Sequence, residues 1–202
     1  MKKLLILFAW TLSLALTTGA HAQGDAAAGQ NKSLLCASCH GADGNSTIAQ
    51  NPKLAGQSAK YLVKQLNDYK SGARSNITMT AMVAGLSDQD ILDIAAWYAS
   101  QQPTVGAADP ATVELAETLY RAGNPEIAVA ACTACHSPTG KGNDPAGFPS
   151  LSGQHAEYTL AQLQAFRAGE RANDPNAMMR SVVERLTDRE LQALASYLSG
   201  LH

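Results

Sequence analysis

Cys36-Ala37-Ser38-Cys39-His40 and Cys132-Thr133-Ala134-Cys135-His136 decide how this chain is read, and together they use all four of its cysteines. Cys-x-x-Cys-His is the attachment sequence for c-type haem. Two thiols add across the haem vinyl groups, and the adjacent histidine is delivered to one face of the iron as its axial ligand. A single copy would read equally well as half of a zinc site. Two copies with no cysteine left over point to two covalently bound haem c groups. A disulfide or redox dithiol is the competing reading, since oxidising compartments permit disulfides. It leaves the histidine directly after each pair unexplained.

Outward from these motifs the halves of the chain repeat one another. Pro52-Lys53-Leu54-Ala55-Gly56-Gln57 corresponds to Pro149-Ser150-Leu151-Ser152-Gly153-Gln154. Tyr61 matches Tyr158, Gln65-Leu66 matches Gln162-Leu163, and Gly72-Ala73-Arg74 matches Gly169-Glu170-Arg171. Leu86-Ser87-Asp88 matches Leu186-Thr187-Asp188. A tandem duplication is the simplest account. Its joint lies in the Gln101-Gln102-Pro103 to Asp109-Pro110 stretch, which has turn chemistry and no apolar periodicity. The expected domains are residues 23–105 and 106–202.

Both units read as all-α. Ser87 and Thr187 each precede an acidic residue three positions on, Asp90 and Glu190, which is the signature of a capped helix start. Ile91, Ile94, Ala95 and Tyr98 then recur at helical spacing, as do Leu191, Leu194, Ala195 and Leu198. Ser58 to Ser71 and His155 to Ala168 read as further amphipathic helices, and no segment alternates as a strand does.

A low-spin haem needs a second axial ligand, and methionine opposite histidine raises the reduction potential. The candidates are Met79, Met82, Met178 and Met179. Counted back from the matched Leu86 and Leu186, Met79 and Met179 each fall seven residues earlier. Met82 aligns instead with Val182, and Met178 with Thr78, so these two read as packing residues. The assignment is therefore His40 with Met79 and His136 with Met179. Such irons have no open position, which argues for a carrier of single electrons and against a peroxidase.

The N-terminus carries Lys2 and Lys3, an apolar run from Leu4 to Leu16 and then Ala20-His21-Ala22, the pattern of a cleaved secretory signal over residues 1–22. That run is shorter than the roughly 20 residues of a membrane span. A mature chain of about 180 residues suits two small domains, each with a haem filling out its core. Residues 24–105 hold 6 basic and 6 acidic side chains, and residues 106–202 hold 7 and 11, so the second half carries the whole acidic excess. With no basic stripe, nucleic-acid binding is excluded.

Taken together, the two haem motifs, the paired Pro-x-Leu-x-Gly-Gln segments, the methionine loops, the paired helix starts and the closing Ser199-Gly200-Leu201-His202 resemble the dihaem cytochrome c4 family. The resemblance covers the mature chain. It implies two cytochrome c-like domains related by a pseudo-twofold axis, with haem edges close at the interface. It also implies a periplasmic electron carrier, soluble or loosely membrane-associated, that works between redox proteins and towards a haem-copper terminal oxidase. A dihaem electron-accepting subunit of a larger enzyme, such as a sulfide-oxidising flavocytochrome, shares the same plan. In the wider cytochrome c family a proline placed as Pro52 and Pro149 are offers its carbonyl to the far nitrogen of the axial imidazole. Gly29 is expected to meet Trp97 or Tyr98, whereas Ala116 stands where the second domain would carry the glycine, which implies looser helix packing there.

Arg74 and Arg171 suit a haem propionate or a solvated surface equally well. Tyr61 and Tyr158 read as packing residues or propionate donors. His155, matched by Ser58, reads as a surface or helix-start residue.

Overall fold

The computed structural model describes residues 24–202; residues 1–22, read above as a signal sequence, lie outside them. The first half contains α1 (Ala26–Lys32), α2 (Leu34–His40), α3 (Ala59–Ser71), α4 (Ile77–Val83) and α5 (Asp88–Ala99). The second contains α6 (Val113–Ala122), α7 (Thr133–His136), α8 (Ala156–Ala168), α9 (Met178–Val183) and α10 (Asp188–Gly200), with 3-10 turns at Pro125–Ile127 and Pro175–Ala177. Among the described residues there is no strand, only two isolated bridges. Ser87 and Thr187 both form full capping boxes, with Asp90 and Glu190 reaching back to the cap amides. These anchor α5 and α10, the central helix of each half.

α1 and α3 pack on α5, and α6 and α8 pack on α10 in the same way. The first core gathers Leu62, Ile94, Ala95 and Tyr98, and the second Leu119, Tyr120, Phe166, Leu191, Leu194 and Leu198. A Cβ on Gly29 would lie 2.0 Å from the Asp93 carbonyl oxygen and 2.9 Å from Trp97 Cβ, so α1 and α5 cross backbone to backbone. Trp97, rather than Tyr98, is the aromatic at that crossing. Ala116 is fully buried at the corresponding place, in a core that also holds Tyr120 and Tyr197, their rings 5.6 Å apart. The longer approach to Cys132 closes on itself through two bonds between Asn124 and Val129, both 2.9 Å, and drops Val129 into the core.

The halves meet about a pseudo-twofold axis. Gln57 Nε2 donates to the Ser150 carbonyl at 2.9 Å, and Ser150 N donates back to Gln57 Oε1 at 2.8 Å. Gln154 and Lys53 repeat this pair of bonds, both at 2.9 Å, on the other side of the axis. The joint between the halves is fixed along its length, with Gly106 N donating to Ser199 O at 2.8 Å and Asp109 N to Ser196 Oγ at 2.8 Å.

Candidate cofactor sites

α2 carries Cys36, Cys39 and His40 within one and a half turns, and α7 with the residue before it carries Cys132, Cys135 and His136. Both imidazoles are buried. His40 Nδ1 lies 2.9 Å from the Pro52 carbonyl, and His136 Nδ1 lies 2.9 Å from that of Pro149. A carbonyl only accepts, so Nδ1 carries the proton and Nε2 keeps its lone pair for a metal. Burial pushes both imidazoles below their ordinary pKa, against the pull of the proline carbonyl, which keeps them in the neutral, ligating form.

The four thiols are unbonded to one another. Burial raises the Cys36 thiol and pushes Cys132 up to about 11. A redox dithiol activates its nucleophile by lowering that value; Cys36 and Cys132 are shifted the other way. Cys36 and Cys132, each packed against its domain's core beside a neutral imidazole, fit covalent haem attachment.

Met79, in the first turn of α4, is half-buried, and its amide donates to the Asn76 side chain at 2.9 Å. Met179, in the first turn of α9, is half-buried and packs on the second core. Met82 and Met178 are each 38 % exposed.

Arg74 and Arg171 are not surface residues; both are buried at the domain interface. Arg74 Nη2 donates to Tyr158 Oη at 3.0 Å, and Arg171 Nη2 donates to Tyr61 Oη at 3.0 Å. His155 does start a helix, but its Nε2 also donates to the Ser46 carbonyl of the other half at 2.8 Å. Its counterpart Ser58 donates to Asp144, likewise across the interface. The bridging role of Gln57 and Gln154 was absent from the sequence reading. The available signal was a pair of amides kept at equivalent positions in both halves with no task inside either one.

Comparison with known proteins agrees with this geometry. The family model for cytochrome c matches twice, over residues 22–102 and 120–202. Cytochrome c4 of Azotobacter vinelandii is 51 % identical over 201 residues, covering 95 % of this chain and 96 % of the relative. The crystal structure of reduced recombinant cytochrome c4 from Pseudomonas stutzeri superposes with a TM-score of 0.87 at 50 % identity, covering 89 % of this chain and 100 % of that one. The thiosulfate dehydrogenase electron acceptor of Stutzerimonas stutzeri (strain A1501) is 41 % identical over 83 % of this chain and 79 % of its own length.

Proposed function

This chain belongs to the cytochrome c family, as a dihaem electron-transfer protein of the cytochrome c4 kind, and we propose that it carries single electrons between respiratory redox partners in the periplasm. The bound haems supply a one-electron ferric/ferrous couple. Everything else falls to the residues around them. Cys36 and Cys39 hold one haem, and Cys132 and Cys135 hold the other. His40 and His136 would ligate through Nε2, and Met79 and Met179 would each supply the second protein ligand of one haem.

The observation that carries this reading is the paired bond from each buried imidazole to a proline carbonyl, 2.9 Å in both domains. It fixes each ring and strengthens it as a donor to iron. With a methionine thioether as each haem's second protein ligand, one-electron exchange would need little change in shape and would leave no position for oxygen or peroxide. The unequal charge of the halves supports unequal potentials for the two haems. Export rests on the signal pattern over residues 1–22, with domains spanning 23–105 and 106–202. No helix among the described residues is long and apolar enough to cross a membrane.

The test is the visible spectrum of the reduced protein with and without carbon monoxide. The native protein should show no change. Met79→Ala and Met179→Ala should each open one iron to the gas and lower its potential, whereas Met82→Ala should leave both closed. A response in Met82→Ala but not in Met79→Ala overturns the ligand assignment.

A second reading is favoured by the likeness to a thiosulfate dehydrogenase electron acceptor. Here the chain takes electrons from one dedicated sulfur-oxidising enzyme and passes them towards an oxidase. Co-purification with such an enzyme from the native host separates this from a free carrier.

A further inference from the structure

The two methionine loops leave matched glycines and reach matched methionines, yet they differ in length. Met79 lies seven residues after Gly72, and Met179 lies ten after Gly169. The shorter loop is settled locally. Asn76 is extended, its side chain accepts from Met79 N at 2.9 Å, and its carbonyl accepts from Thr80 N at 2.8 Å. Met79 therefore sits in a helix turn capped from its own loop. In the longer loop the counterpart Asn176 stands in the left-handed region with φ of 53°, and Ala177 follows at 55° and gives α9 no side-chain cap. Asparagine tolerates that conformation; alanine holds it only where its surroundings impose it. The turn is closed instead by Asp174. Its side chain, 3 % exposed, accepts from Arg180 N at 3.0 Å and from Arg180 Nε at 2.8 Å. This clasp fixes the backbone directly after Met179.

The base of the clasp is held by the other domain. Asn173 immediately precedes Asp174. Its carbonyl accepts from Lys64 Nζ at 2.8 Å, and its Nδ2 donates to Asp68 Oδ2. Lys64 and Asp68 stand one turn apart on α3 and pair with each other, so the two ends of one ion pair grip a single residue. Such a pair adds little to a helix by itself; what it adds here is a fixed point for the loop. The grip is not returned. In the repeat register Ala161 and Ala165 of α8 stand where α3 has Lys64 and Asp68. Neither has a polar side-chain atom, so α8 cannot hold the first loop in the same way.

We infer that Lys64 and Asp68 are positioning residues for Met179: through Asn173 and the Asp174–Arg180 clasp, the first domain holds the methionine loop of the second. Met79 depends on its own helix cap, and Met179 depends on the domain interface. Drawing the domains apart would loosen the ligand of one iron and spare that of the other. This rests on the reading of Met179 as an axial ligand and adds the part of the chain that keeps it in place.

The test uses the mature dihaem protein in its ferric form and follows cyanide binding, whose rate reports how readily each methionine leaves its iron. The hyperfine-shifted haem methyl signals, assigned with Met79→Ala and Met179→Ala, tell the two irons apart. Lys64→Ala combined with Asp68→Ala gives α3 the pair of residues that α8 already carries. It should bind cyanide about tenfold faster at the Met179 iron, the factor that losing one charge-assisted hydrogen bond implies. The Met79 iron should keep its native rate. Lys64→Arg, which preserves the cation, should stay close to native at both. Asn76→Ala should do the reverse of the double variant and quicken the Met79 iron alone. Should the double variant fail to fold, Asp174→Asn weakens the clasp from the other end and should quicken the same iron. Equal quickening at both irons, or native rates at both in a folded double variant, overturns the inference while leaving the ligands assigned. A Met179→Ala protein that binds cyanide no faster than the native one breaks the ligand reading itself, and the inference falls with it.

Discussion

The first domain locks its N-terminal helix with charge and bare backbone, and the second locks the same helix with apolar side chains. In the first, Gly29 lets α1 touch α5. Lys32 then reaches Asp93 at 2.6 Å and Asp90 at 2.7 Å, while Asp93 also accepts from Asp25 N at 2.8 Å. In the second, Ala116 stands for Gly29, Leu119 for Lys32 and Ala193 for Asp93, and all three are buried in a continuous core. Replacing an ion pair by hydrophobic residues of suitable shape is often neutral or stabilising, provided both partners change together. A tyrosine has also changed sides. Tyr98 on α5 lies by Ser33 in the first domain; in the second, Leu198 takes its place and Tyr120 on α6 stands where Ser33 would be. The duplicated parts that attach haem or clasp the domains have stayed alike, while the helix packing behind them has found two solutions.

The difference is easiest to break at the crossing itself. Gly29→Ala would drive a methyl into the Asp93 carbonyl and should cost about 3 kcal/mol by overpacking. The reverse change, Ala116→Gly, should cost only about 1 kcal/mol through backbone entropy and lost contact. Denaturant unfolding of each variant measures both.

Acid should part the domains next. The bonds from Asp25 N, Lys32 and Gln89 hold the Asp93 carboxyl at about 2, below the 3.8 it has when free. A carboxylate depressed on folding stabilises fully above its free value, and that contribution fades as pH falls from about 4 towards 2. The amides of α1 and α5 should therefore lose hydrogen-exchange protection over this window before those of α6 and α10, where Ala193 has nothing to protonate. Asp93→Asn should shrink the difference in pH dependence, leaving the part due to Asp90, which Lys32 also holds below its ordinary value. Equal fading in both domains would mean that another group sets acid stability.

The smallest effect separates the tyrosines. Tyr120 Oη donates to the Ser137 carbonyl at 2.7 Å, whereas the buried Tyr98 hydroxyl meets the Ser33 side chain but has no partner in full hydrogen-bonding geometry among the described residues. Tyr120→Phe should cost about 1 kcal/mol, and Tyr98→Phe should be neutral or slightly stabilising. Thermal melts of the two variants give the comparison directly.

Much of this molecule could be read before it was seen, because its signals are local. Haem attachment depends on spacing within five residues, the capping boxes on spacing within four, and the methionine register on counting back from a matched leucine. The proline carbonyls also fell where the wider family puts them. What escaped was the interface. Arg74 meets Tyr158, and His155 meets Ser46, across a joint that no pattern within either half describes. A buried arginine and a solvated one look the same in sequence until its neighbours from the other half are known. The exchange of Tyr98 for Tyr120 was hidden for a related reason: each is an ordinary apolar position on its own helix, and only packing reveals that they fill one space.

The clasp made by Gln57 and Gln154 has a consequence for ancestry. Each bond of this clasp returns when the halves are exchanged, which is the hallmark of a self-complementary contact in a symmetric homodimer. One half alone offers both the amide and the backbone that a second copy would need. Fusing two such copies would require no new joint; it would raise the effective concentration of a partner that already fits. Once tethered, neither copy had to remain its own mirror, and the sequences were free to part wherever the axis did not hold them.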